Sequence, residues 1–199
     1  MAKTHYGFLV DLRKCIGCRT CQVACKAEND VPQGVYRTWV KEVEKGTYPE
    51  VRRHFLPIVC NQCDEPACTA VCPVRATYSL DNGIVVIDPH RCIGCGYCMA
   101  ACPYAVRFIH PTRGVAEKCD WCWPKVSAGN GLPACVTGCT TGALVFGDLN
   151  DPTSEISRLL ATVPNAVLKP ETGNGPRTYY LALDDEAARA VDHGGGSHG

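Results

Sequence analysis

Apolar and β-branched residues along this 199-residue chain come in short runs, each closed by turn-forming or cysteine-bearing stretches. HYGFLV, from His5, reads as a strand, RTCQVACKAE, from Arg19, as a short helix, and YRTWVKEVEKG, from Tyr36, as a second strand. TYSLDNGIVVID, from Thr77, places a DNG turn between two β-rich runs, which predicts a hairpin, and VRFIH follows at Val106. Beyond Cys139 the runs ALVFGDL, NDPTSEISRLLATV, AVLKP and RTYYLAL predict strand, helix, strand and strand, with Asp151 as the helix N-cap ahead of Pro152. No run approaches the roughly 18 consecutive apolar residues of a membrane span, and MAKTHYGFLVDLRKC is too short and polar-interrupted for a secretory signal. Contact with a membrane is therefore expected only through a partner.

Composition changes the picture at one point. The chain is 46% hydrophobic, and 20 basic residues balance 20 acidic ones. With no basic stripe there is little electrostatic support for binding nucleic acid. Sixteen cysteines are the anomaly. They fall into four quartets: CIGCRTCQVAC from Cys15, CNQCDEPACTAVC from Cys60, CIGCGYCMAAC from Cys92, and CDWC with CVTGC from Cys119 to Cys139. Neighbours two residues apart are awkward to bridge in relaxed disulfide geometry, and a secreted framework spreads its cysteines instead of bunching them. A zinc site takes two knuckles across a longer loop, often with histidine, whereas three or four cysteines here share one loop and short helix.

A 4Fe-4S cubane has four iron corners, so three thiolates must converge from a tight loop, which two-residue gaps allow. Small residues such as Gly17, Gly94 and Gly96 are expected to let backbone approach the cluster, with N–H groups on the sulfides. The fourth cysteine lies about a helical turn away, and in the bacterial two-cluster ferredoxin pattern it ligates the other cluster. Cys-Pro closes two quartets, at Cys72-Pro73 and Cys102-Pro103, as in that pattern, while Lys26 and Thr140 stand there in the other two. Sixteen thiolates divide into four 4Fe-4S clusters with none left over, and no quartet has the replaced cysteine expected of a 3Fe-4S centre. With four 2+ cores the holoprotein carries about −8; Lys14, Arg19, Arg91 and Lys118 beside the sites are expected either to offset this locally or to be ordinary solvated surface charge.

The recurring order of strand, cysteine loop, helix and strand predicts an α+β fold of two nested, ferredoxin-like two-cluster units. An inserted unit spans 54–112, and a split outer unit spans 1–53 and 113–148. A strand/helix extension at 149–185 is expected to serve packing and docking, followed by a flexible tail at 186–199 carrying His193 and His198. Trp39, Trp121 and Trp123 are expected to pack around the clusters. There is no Ser-His-Asp constellation, phosphate loop or nucleotide fingerprint, so no catalytic residue is assigned.

The four quartets, the wide Cys122 to Cys135 gap, ALVFGDLNDP and the late RTYYL together resemble the four-cluster iron-sulfur subunits of the molybdopterin oxidoreductases. The resemblance runs over about residues 5–183 and is nearest to the small subunits of polysulfide, thiosulfate, tetrathionate and arsenate reductases. It implies a non-catalytic wire between a molybdopterin catalytic subunit and an integral membrane quinone-reactive subunit. It also implies ligand sets: Cys15, Cys18, Cys21 and Cys139 for cluster 1, nearest the catalytic subunit, and Cys25, Cys119, Cys122 and Cys135 for cluster 2. Cys72, Cys92, Cys95 and Cys98 would hold cluster 3, and Cys60, Cys63, Cys68 and Cys102 cluster 4, nearest the membrane partner. The swapped fourth cysteine yields the same sets if quartet one pairs with four and two with three. The competing readings are a free polyferredoxin carrier and the equivalent subunit of a hydrogenase, formate dehydrogenase or transhydroxylase. The expected location is peripheral, on the periplasmic face of a bacterial cytoplasmic membrane, with the cytoplasmic face as the alternative.

Overall fold

The structure is a computed structural model, and it describes residues 4–189; His193 and His198 lie outside the described residues. At its centre is a four-stranded sheet in the order β8-β1-β10-β9, made of β1 (Tyr6–Asp11), β8 (Leu144–Asp148), β9 (Asn165–Val167) and β10 (Thr178–Leu181). β1 runs antiparallel to β8, with Phe8 opposite Phe146, and parallel to β10, with Phe8 opposite Thr178. Three two-stranded hairpins surround it: β2 (Trp39–Lys45) with β3 (Arg52–Ile58), β4 (Thr77–Ser79) with β5 (Val85–Ile87), and β6 (Arg107–Ile109) with β7 (Ala116–Lys118).

Side chains alternate across a strand, and this alternation divides the core. Phe8, Val10, Phe146 and Tyr180 face a cluster that also contains Trp121, Cys21, Cys60, Cys119 and Cys135. Leu9, Val145 and Leu181 face the other way, onto Ile156 of α6 (Glu155–Thr162). The sheet is thus a partition, with thiols on one side and α6 closing the other. The 149–185 segment supplies this cover and also the interior strand β10, so it packs as part of the core.

Two local expectations are corrected. The N-cap of α6 is Ser154, whose hydroxyl accepts from Ser157 N at 3.2 Å, while Asp151 accepts from Thr153 N at 2.8 Å in the turn before it. Ordered structure also continues past 185: a short helix, Asp185–Arg189, buries Ala187 and is capped by Asp184, which accepts from Ala187 N at 2.8 Å. Four residues assigned to the tail therefore belong to a helix. The unit boundaries at 53/54 and 112/113 fall inside β3 and inside the β6–β7 turn, so both hairpins cross them.

Arg177, just before β10, ties these pieces together. It is 1% exposed, and it donates to Gln62 O at 2.7 Å, to Tyr6 O at 2.8 Å and to Gly83 O. A Cβ on Gly83 would lie 2.8 Å from the guanidinium, and its φ of +81° is left-handed, so glycine is required in the DNG turn for both reasons.

Candidate metal centres

The sixteen cysteines form no disulfide. Cys21 and Cys25 are buried, four residues apart on α1 (Thr20–Asn29), yet they join different groups. Burial pushes the Cys21 thiol up to about 11, and the neighbouring Cys15, Cys18 and Cys139 add to this. Cys25 is pushed up to about 12 by burial and then by Cys122. Cys119 and Cys135 lie well above the ordinary thiol range, again through burial first and then through Cys25 and each other or Cys122. Cys63 rises to about 12 from burial, with Cys60, Cys102 and Cys68 beside it. Those last four line one cavity, with non-atom space of about 350 Å³; Cys72, Cys92, Cys95 and Cys98 line another of about 340 Å³. The fold gathers its thiols in fours, mixing cysteines more than 100 residues apart with cysteines of one loop.

The donor set suits iron-sulfur chemistry. Backbone N–H groups point at sulfur: Ala76 N to Cys72 Sγ at 3.2 Å, Ala116 N to Cys92 Sγ at 3.3 Å, Trp121 N to Cys119 Sγ at 3.4 Å, and Ala143 N to Cys139 Sγ at 3.2 Å. Such donors stabilise thiolate and tune bound clusters. Thr20 Oγ1 donates to Cys18 Sγ at 3.4 Å and, as the largest of several hydrogen-bonding causes, draws that thiol below its usual range. Among the described residues no three of His, Cys, Asp or Glu converge closely enough for a single metal ion. A lone zinc needs every sulfur about 2.3 Å from one point, whereas a cubane gives each thiolate its own iron.

Two of the three glycines have a different role from the one expected, while Gly96 faces open space. A Cβ on Gly17 would fall 2.3 Å from the Phe55 ring, and one on Gly94 2.2 Å from Gly114 O. It is protein that packs against these loops at the glycine positions. Their positive φ, +70° and +68°, also demands glycine.

Of the four expected counter-charges only Lys118 is buried, at 3% exposure; its Nζ donates to Cys119 O at 2.9 Å and to Val85 O. Arg19 pairs with Glu42 at 2.6 Å, Arg91 with Asp88 at 3.3 Å, and Lys14 is exposed, so these act as solvated surface charge. Sequence reasoning missed Arg107, 6% exposed, which donates from Nη2 to Cys68 Sγ at 2.7 Å. It also missed Asn29, whose Nδ2 lies 3.7 Å from Cys25 Sγ and from Cys122 Sγ, held by Arg37 at 2.8 Å. The only available signal for Arg107 was a charge inside the apolar run VRFIH. Trp121, 1% exposed, stacks on Phe8 at 6.0 Å and meets Phe146 edge-on at 5.6 Å, as a packing residue does.

The four groups adjoin one another. Cys135 has Cys21 among its neighbours, and Cys119 has Cys60. Cys60, Cys21, Cys119 and Cys135 share one core cluster, which Cys63, Cys102 and Cys139 flank, while Cys72, Cys92, Cys95 and Cys98 stand outside it. Arg107 walls both the cavity of Cys60 and that of Cys92. The Cys60, Cys63, Cys68, Cys102 group meets the Cys119 segment through Cys60, and the Cys72, Cys92, Cys95, Cys98 group meets it through Ala116, which donates to Cys92 Sγ at 3.3 Å. The loop at Cys60 is clamped to β1 and β10 through Arg177 and Thr178. The exposed thiols are Cys18 and Cys95.

An α+β scaffold that gathers buried thiols in fours and dresses them with backbone amides defines an iron-sulfur protein of the 4Fe-4S type. The 4Fe-4S dicluster domain family matches residues 51–149, and the 4Fe-4S binding domain family matches residues 6–27. Over 185 residues the sequence is 48% identical to a tetrathionate reductase subunit of Salmonella typhimurium, covering 91% of this protein and 74% of the relative. Over 183 residues it is 40% identical to a polysulfide reductase chain of Wolinella succinogenes, covering 91% and 95%. A putative dimethyl sulfoxide reductase iron-sulfur subunit of Halobacterium salinarum is 36% identical over 242 aligned positions, covering 98% and 92%. The protein belongs to this family of iron-sulfur electron-transfer subunits of sulfur-compound and dimethyl sulfoxide reductase complexes.

Proposed function

We propose that the protein is a four-centre electron wire between a molybdopterin catalytic subunit and an integral membrane quinone-reactive subunit, in a respiratory complex acting on a sulfur compound or oxyanion. Four 4Fe-4S clusters are held by Cys15, Cys18, Cys21 and Cys139; by Cys25, Cys119, Cys122 and Cys135; by Cys60, Cys63, Cys68 and Cys102; and by Cys72, Cys92, Cys95 and Cys98. The observation that carries this reading is the gathering of thiols in fours, with Cys18 and Cys95 exposed.

Each bound cluster supplies one-electron chemistry with little reorganisation. The protein's part is to keep water from the interior thiols, orient N–H donors on sulfur and present the end groups to partners. Ile16 and Val23, exposed beside Cys18, form the face for the catalytic subunit; the Cys60, Cys63, Cys68, Cys102 group is assigned to the side of the membrane subunit. The nested two-unit organisation and a place on the periplasmic face of the membrane, reached in company with an exported partner, belong to the same proposal. No helix among the described residues is long and apolar enough to cross a membrane, so the membrane contact is assigned to the partner.

Anaerobic purification from the native host tests this. The expected result is about sixteen iron per chain and co-elution with a large molybdenum- or tungsten-containing subunit and a membrane subunit. About eight iron per chain refutes the four-cluster reading, and elution of the fully loaded protein alone refutes the bridging role in favour of a free carrier.

A further inference from the structure

Three buried cations stand beside one of the four thiol groups. Arg107, Lys118 and Arg177 are 6%, 3% and 1% exposed, and all three lie in electrostatic reach of the Cys60, Cys63, Cys68, Cys102 group. Arg107 donates to Cys68 Sγ at 2.7 Å and to Thr77 Oγ1 at 3.2 Å, neither of them a carboxylate. Lys118 Nζ has neutral partners, Val85 O, Cys119 O and Gln62 Oε1. Arg177 reaches one carboxylate, the half-exposed Asp64, at 3.1 Å. The cavity wall also holds buried donors without a hydrogen-bond partner, among them Arg107 Nη1 and Asn61 Nδ2. Beside the adjoining Cys25, Cys119, Cys122, Cys135 group Arg37 is neutralised by both Glu117 at 2.8 Å and Asp120 at 3.1 Å, and only Lys118, through Cys119 O at 2.9 Å, is shared with it.

Building on the four-cluster reading above, we propose that the Cys60, Cys63, Cys68, Cys102 site holds the most readily reduced of the four clusters, so that an electron crossing the protein comes to rest there. A four-thiolate 4Fe-4S centre gains one full negative charge on reduction. Buried cations with no carboxylate to neutralise them favour the reduced form, and donors free to bond sulfide do the same. One electron arrives from an adjoining centre and one leaves to the next, with no bond to the protein broken and no proton required. Arg107, Lys118 and Arg177 are positioning residues that act through their charge. Because Arg107 also walls the Cys72, Cys92, Cys95, Cys98 cavity, its removal is felt second there and least at the Cys15, Cys18, Cys21, Cys139 site.

Redox titration of the anaerobically purified, cluster-loaded protein, followed by electron paramagnetic resonance, tests this. The first centre reduced is expected to be the one whose signal is altered or lost in Cys68→Ser. In Arg107→Gln and Lys118→Gln the reduced-to-oxidised ratio of that centre, at fixed ambient potential, falls at least tenfold, which is 59 mV for one electron. Arg107→Lys restores most of the shift, and the signal marked by Cys18→Ser stays in place. The proposal is overturned if another centre is reduced first, or if both glutamine variants keep full iron and leave the ratio within twofold of wild type. Should Arg107→Gln lose iron at this site, Lys118→Gln, which does not touch sulfur, decides alone by the same criterion. Wild-type iron well below sixteen per chain instead refutes the four-cluster reading on which the proposal stands.

Discussion

Replacing Arg177 by methionine removes the clamp between three segments far apart in sequence. The arginine gives three hydrogen bonds to carbonyls, of Gln62, Tyr6 and Gly83, at a site 1% exposed. A hydrogen bond involving a charged group contributes about 1.5–3 kcal/mol, so three set an upper bound that loop relaxation and water lower. We expect a loss of about 3–5 kcal/mol, in the range for breaking a buried polar network. A loss of about 3 kcal/mol carried wholly by the unfolding rate accelerates unfolding roughly 150-fold, and half of it roughly tenfold. A protein with bound clusters unfolds irreversibly, so the proper readout is a rate: the decay of the visible cluster absorbance at fixed temperature without oxygen. The half-life is expected to shorten by one to two orders of magnitude. Gly83→Ala is the companion change, costing about 1–2 kcal/mol for its left-handed φ, plus displacement of the guanidinium. In the double variant the steric part disappears and the backbone part stays, so the two effects add to less than their sum. A half-life within twofold of wild type in Arg177→Met, or strict additivity in the pair, refutes the clamp.

Cys25→Ser is expected to disturb the cluster of Cys119, Cys122 and Cys135 and leave that of Cys15, Cys18 and Cys21 assembled; selective loss of the latter, seen by electron paramagnetic resonance, refutes the swapped ligation. Ser154→Ala costs about 1 kcal/mol through the lost cap, and faster hydrogen exchange at the first turn of α6 checks it, with Asp151→Ala leaving those amides nearly unchanged. The Arg13 side chain, first of several causes, holds the Asp11 carboxyl below its usual range. Its contribution is present in full above the ordinary Asp value of about 3.9 and is lost as pH falls below that toward the depressed folded value. Asp11→Asn is therefore expected to flatten the acid end of a cluster-retention profile, and an unchanged profile refutes this. Protease treatment of spheroplasts checks the side of the membrane: digestion before the inner membrane is ruptured supports the periplasmic face, and protection until then places the protein on the cytoplasmic side.

The thiol quartets, the helix behind Cys18, the DNG hairpin and the strand-helix-strand-strand order after Cys139 were legible because each rests on short-range spacing: two-residue gaps, turn chemistry, or a run of one periodicity. The family was legible for the same reason, since a cubane imposes its spacing on a short loop. What only the tertiary structure decided lies at long range. Cys21 and Cys25 sit one helical turn apart and turn to different groups, one toward Cys139 and the other toward Cys122, because α1 packs against the helix Ala134–Thr137. The loop at Cys60 is held against the central sheet by Arg177, 115 residues from its partner Gln62. Arg107 and Lys118 looked like any other charges in the sequence, and their burial beside sulfur follows from where β6 and β7 are packed. Spacing dictates what a loop is able to bind; which thiols meet and under which charges is set by the packing of distant segments, because burial and electrostatics are properties of the assembled core.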